Sequence, residues 1–179
     1  MISKKYIQKL CVCGILSALY FALEFLSQEL SQIVAGRIEL PLSSLPLILA
    51  AVLFGPIWGG AVGLIGGFLS QAFSQYGLMV TTPIWIAPAV IQGIVMGVLF
   101  YCFKKRCDFQ TLFFEILCSS IVLTFLNSVA LYCDGLINHY TSTVFSVTLA
   151  IRICFGIAAS IIFAILTPPI VNTVKKNLP

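Results

Sequence analysis

Charge is scarce in this 179-residue sequence: Asp, Glu, Lys and Arg make up 9% of it, where soluble domains carry roughly 25%. Histidine is rarer still. His139 stands alone in a polar stretch with no second ligand near it in sequence, so the chain offers no donor set for a metal. Seven cysteines are present, but none forms a CxxC pair. Cys11 and Cys13 are two apart and point in different directions on a helix, while Cys102, Cys118 and Cys154 fall within or beside apolar runs. Buried thiols behaving as small hydrophobes fit better than disulfides or a metal site. No Walker A sequence occurs, which excludes ATP hydrolysis by this chain. HExxH and GxSxG are also missing, and no nucleophile and base share one depth, so the expectation is a protein that is not an enzyme and uses no cofactor. Linkers, low-complexity tracts and long polar stretches are lacking too, so residues 1–179 read as a single domain.

What remains is apolar. Hydrophobic residues make up 60% of the chain and the mean hydropathy is +1.07. A surface this apolar calls for lipid as its solvent. A bilayer core about 30 Å thick needs about 20 apolar residues per helix. That ruler predicts an all-α polytopic bundle of six transmembrane helices, over roughly 7–30, 41–55, 57–74, 84–103, 109–133 and 144–172. The second is short and begins with Pro41. The turn after it, Phe54-Gly55-Pro56, reads as a tight hairpin at a membrane face. The basic start followed by an apolar run also fits a signal peptide. The run from Ile7 to Leu26 is long for one, and the expectation is a retained first helix.

The net charge of +4 is a topology signal rather than a nucleic-acid footprint. Eight of the ten basic residues form three clusters: Lys4, Lys5 and Lys9; Lys104, Lys105 and Arg106; Lys175 and Lys176. With six crossings all three clusters fall on one side, which the positive-inside rule makes the cytoplasm. Both termini are then cytoplasmic. The connections near Arg37–Pro41, Gln75–Pro83 and Asp134–Thr143 fall outside.

Polar side chains at membrane depth are costly and usually face a protein interior or a wet cavity. Glu24, Gln92, Asn127 and Arg152 stand out. At 1.5 Å per residue each lies about 9–12 Å below the outer surface. Four helices thus place polar groups at one level, which a shared outward cavity explains. An internal Glu24–Arg152 ion pair, or interhelical hydrogen bonds from Gln92 and Asn127, fit the same residues. From the outer loop, Tyr76, Thr82 and Trp85 suit a small polar or heterocyclic ligand, and equally an interfacial aromatic belt. Arg152 suits a ligand carboxylate. Arg37 and Glu39 either cap the site or mark the interface. Small residues recur at spacing four in two helices: Gly14, Ala18 and Ala22, and Gly59, Gly63 and Gly67. One stripe is expected to pack internally and the other to meet a different polypeptide.

Six helices in so short a chain, the Leu53–Pro56 hairpin (Leu-Phe-Gly-Pro), the long outer loop before the fourth helix and the stretch LPLILAAVLFGPIWGGAVGLIGG over Leu45–Gly67 resemble the substrate-binding S component of energy-coupling factor (ECF) transporters. The resemblance spans nearly the whole chain. Leu126–Tyr132 together with Arg152 is similar to the fifth and sixth helices of the folate-type branch. Phe68, Leu69 and Ser70 stand where that branch often carries an aspartate, and pantothenate or pyridoxine fits as well as folate. The resemblance implies a vitamin-binding subunit of a bacterial plasma membrane. It would associate with a membrane coupling subunit and two ATPase subunits, and topple in the bilayer to release its substrate inside. It also implies that Gly14, Ala18 and Ala22 receive the coupling subunit. A ligand-free membrane scaffold and a small secondary transporter are the rival expectations. Six helices are few for a secondary transporter, and no inverted repeat is visible.

Overall fold

A computed structural model describes residues 4–33, 41–74, 77–104, 108–138 and 144–177. Among them every regular element is an α-helix: α1 (Lys4–Ile33), α2 (Ser44–Phe54), α3 (Pro56–Ala72), α4 (Thr82–Cys102), α5 (Phe109–Asn138) and α6 (Val144–Asn177). Each coincides with one of the six apolar segments. Four of them, α1, α4, α5 and α6, are long and apolar enough to cross a membrane. The other two depart from the six-crossing expectation. α3 has 17 residues, about 25 Å of rise, and α2 has only 11, about 16 Å. A helix of that length covers half of a 30 Å core.

The lysines of α1, Lys104 and the lysines of α6 lie at one end of the bundle. Tyr6 at the start of α1 meets Trp58 at the start of α3, ring centroids 5.7 Å apart. The α2–α3 turn at Gly55 faces Tyr101 at the end of α4, beside Lys104. α5 and α6 are antiparallel, tied by Ser120 and Ser160 at 3.2 Å, which returns the end of α6 to the same side. This basic end therefore carries the start of α1, the α4–α5 junction and the end of α6.

α3 and α4 form the closest pair, and glycine is the reason. A Cβ added at Gly63 would lie 2.6 Å from the Ala89 carbonyl oxygen, and one at Gly59 would lie 2.7 Å from that of Gly93. Added carbons at Gly93 and Gly97 would collide with the backbones of Gly59 and Pro56. The two backbones touch along the whole seam, as small-residue faces allow in membrane helices. At Gly66 an added carbon would meet the Tyr20 ring of α1 at 2.5 Å. The stripe on α3 is thus the one that packs internally. Gly55 serves a different need: its φ of 99° lies in the region that side chains resist, and Pro56 then opens α3 at a position that needs no N–H.

α2 is apolar on all sides and is enclosed on all sides. Leu47, Ile48, Ala50 and Ala51 are fully buried against α1, α3, α4 and α6. Phe100 and Met96 of α4, Leu112 and Ile116 of α5, and Phe163, Ala164 and Val171 of α6 complete this core in the basic-end half. Many other large apolar side chains face outward: Ile57 is 81% exposed and Ile15 68%, as a lipid-facing surface requires.

Gly63→Ala is expected to force the α3–α4 backbones apart and to destabilise the protein by about 1–3 kcal/mol. Thermal unfolding in detergent reads this. Gly14→Ala, which enters open space, leaves the midpoint no lower. A Gly63→Ala protein as stable as the parent would show that the seam is looser than drawn.

Candidate functional site

Because α2 is half-length, its first turn begins in the middle of the bundle. Ser44, the first residue of α2, exchanges a 3.3 Å hydrogen bond with Gln92 of α4. Gln92 lies ten residues into α4, about 15 Å of rise, and only 1% of it is exposed. Ser43, just before α2, approaches the Tyr20 hydroxyl of α1 as a hydrogen-bond partner, and Glu24 faces the same tyrosine one turn further on. Tyr20, Ser43, Ser44 and Gln92 are all buried and Glu24 is half-buried. This is a polar layer inside a hydrocarbon-like core, where an unpaired amide or hydroxyl costs about 1–3 kcal/mol.

The remaining residues expected at the site can be placed by depth. Asn127 is half-buried on α5, eleven residues from the end of that helix, about 16 Å. The backbone of Arg152 lies eight residues into α6, about 12 Å, and its side chain is outside the described residues. Ser120 pairs with Ser160, and a Cβ added at Gly156 would lie 4.0 Å from the Thr124 hydroxyl. That register sets residue 152 of α6 opposite 128 of α5, next to Asn127. Measured on these helices, the polar level lies about 12–16 Å below the end opposite the basic one, somewhat deeper than the sequence spacing implied.

Thr82 does something more local. Its Oγ1 accepts a 2.8 Å hydrogen bond from the Met79 N–H, and its own N–H donates to the Met79 carbonyl at 3.1 Å. It therefore locks the turn that leads into α4. Trp85 is half-buried one turn later, with its backbone N–H on the Thr81 carbonyl at 3.3 Å. Tyr76, Arg37, Glu39 and His139 fall outside the described residues.

Sequence reasoning missed Tyr20, Ser43 and Ser44. Tyr20 looked like one more aromatic of an apolar helix, and the two serines lay inside a segment drawn as helix from Pro41. A start of α2 at mid-depth was the missing fact. The Gly14, Ala18 and Ala22 stripe has the opposite fate to that of α3: all three residues are exposed, and nothing lies within 4 Å of a carbon added at Gly14. A separate cleft of about 710 Å³ opens sideways between α5 and α6. Of its hydroxyls, those of Thr124 and Ser128 donate to carbonyls of their own helix, and Asn127 does not line it.

The family model for the substrate-specific component of ECF transporters matches residues 8–171. The chain belongs to this family. The match runs from the second turn of α1 to the last turns of α6, so it includes the half-length α2, the glycine seam and the polar layer. No curated protein matches the chain, and no solved structure does. As an S component the chain is a multi-pass membrane protein that takes a small-molecule substrate and associates with transport partner subunits.

Thr82→Val removes the acceptor of the Met79 N–H. A loss of about 1 kcal/mol is expected, together with faster amide exchange at Met79. Unchanged exchange would mean that the turn is held by other contacts.

Proposed function

We propose that this S component binds a water-soluble vitamin or vitamin precursor, of the folate, pantothenate or pyridoxine class, at the polar layer above α2. The observation that carries the proposal is the Ser44–Gln92 pair, buried about halfway along α4. An amide at that depth, with Tyr20, Ser43 and Glu24 beside it and Asn127 and Arg152 at the same level, offers donors and acceptors to a polar heterocycle. Arg152 holds an anionic group of the ligand, and a guanidinium does this bidentately. Tyr76, Thr82 and Trp85 close the site from the loop side, Thr82 by fixing the turn.

The basic end faces the cytoplasm of a bacterial plasma membrane, because Lys4, Lys5, Lys9, Lys104 and the lysines at the end of α6 gather there. Substrate then enters from the opposite side. The exposed Gly14, Ala18 and Ala22 stripe receives the membrane coupling subunit, since a helix can approach its backbone closely. Two ATPase subunits supply the energy that this chain, lacking a nucleotide site, does not. A ligand-free scaffold remains the rival: it accounts for Gln92 as interhelical glue and predicts no bound small molecule.

Native mass spectrometry of the purified protein, followed by a thermal-shift panel of vitamins, tests the proposal. One vitamin is expected to raise the melting temperature. Gln92→Ala should weaken its binding by about tenfold or more, and Arg152→Ala should abolish binding of a carboxylate ligand. A panel without any stabilising compound favours the scaffold. Ala18→Leu is expected to leave ligand affinity intact and to prevent co-purification with the coupling subunit. Retained co-purification would move the docking face elsewhere.

A further inference from the structure

Several hydroxyls within these helices are satisfied by their own backbone. Ser17, Ser70, Thr124, Ser128, Ser160 and Thr173 each donate to the carbonyl four residues back. Thr167 of α6 breaks the pattern. It is fully buried, and its Oγ1 has no hydrogen-bond partner among the described residues. Glu115 of α5 is the second exception. It is fully buried as well, and both carboxylate oxygens lack a partner.

The two lie at nearly one depth. Counting from the Ser120–Ser160 pair towards the basic end, Glu115 is five residues away on α5, about 7–8 Å, and Thr167 is seven away on α6, about 10–11 Å. A third acceptor lies close by in depth, about 6 Å from the pair by the same count. Pro168 has no N–H, so the carbonyl of Ala164, four residues before it, loses its helical partner. The buried core of the basic-end half thus holds a carboxylate and a hydroxyl without partners and a carbonyl freed by Pro168.

Leu112, Ile116, Phe163 and Val171 bury this region. The helices packed on α5 are α4 and α6. On α4 the titratable side chains are Tyr101 and Cys102, both exposed at its end. On α6 they are Arg152 and Cys154 near its start and Lys175 and Lys176 at its finish. Among the described residues nothing is hydrogen-bonded to the Glu115 carboxylate. A carboxylate taken into such an interior needs a compensating positive charge, and oxygen ligands select hard cations.

We propose that Glu115, Thr167 and the Ala164 carbonyl form an inner site for a monovalent cation, a proton or an alkali-metal ion. The site lies in the basic-end half of the bundle, below the polar layer that takes the vitamin, and does not depend on the vitamin reading. The cation neutralises the Glu115 carboxylate, and the hydroxyl and carbonyl oxygens complete its shell.

Thermal unfolding of the purified protein in detergent tests this, in Li+, Na+, K+ or choline chloride at constant ionic strength, from pH 5.5 to 8.5. An alkali ion at the site raises the melting temperature of the parent in a saturable way, by about 4 °C or more over choline. Acidification then weakens the apparent affinity for the ion. A proton at the site gives no preference among the salts, and a stability that falls as pH rises. Glu115→Gln abolishes either response, and Thr167→Val, which keeps the carboxylate, reduces the apparent affinity several-fold. If Glu115→Gln fails to fold, Thr167→Val and the parent carry the comparison. Identical salt and pH responses in the parent and the variants overturn the proposal.

Discussion

The whole arrangement depends on how closely α3 and α4 approach. Gly59, Gly63, Gly93 and Gly97 let the two backbones touch, where any side chain would strike a carbonyl or a proline ring. In lipid no hydrophobic effect drives helices together, so dispersion between close surfaces has to supply the association. The tight pair in turn shapes a slot that a short, uniformly apolar helix can fill. α2 occupies that slot, buried by α1, α3, α4 and α6, and its 11 residues stop at mid-depth.

That early stop creates the polar layer. A full-length α2 would have continued apolar packing to the far surface. Instead the first turn of α2 brings Ser43 and Ser44 into the middle of the bundle, opposite Tyr20 and Gln92. Polar groups at that depth persist because each finds a partner there. The same accounting separates ordinary hydroxyls, which turn back on their own helices, from Glu115 and Thr167, which do not. One polar layer is satisfied internally. The other has acceptors in excess of donors.

Much of this could be read from the chain. The six apolar segments were bounded to within a few residues, because helix length in a membrane follows from apolar run length. Gln92 emerged as a buried polar residue, since a lone amide in an apolar run has no other cheap placement. Tyr20 did not emerge, because its ring is at home in lipid and only its hydroxyl needs a neighbour. Glu115 escaped notice for a related reason: near the basic end of a long helix it passes for an interfacial charge, and only packing reveals that it is enclosed. Of the two small-residue stripes, spacing alone could not say which was internal.

The sequence by itself determined that this is an all-helical membrane protein, where its helices fall, and that its basic clusters share one side. Those properties are local: they follow from hydropathy, from Gly and Pro at turns, and from charge counts along the chain. Tertiary structure alone decided that α2 is a half-length central helix, that the α3 stripe is buried while the α1 stripe stays open, and which polar side chains meet. Those are properties of pairs of distant residues, such as Ser44 with Gln92 or Gly63 with Ala89, and periodicity within one helix carries no information about its neighbour.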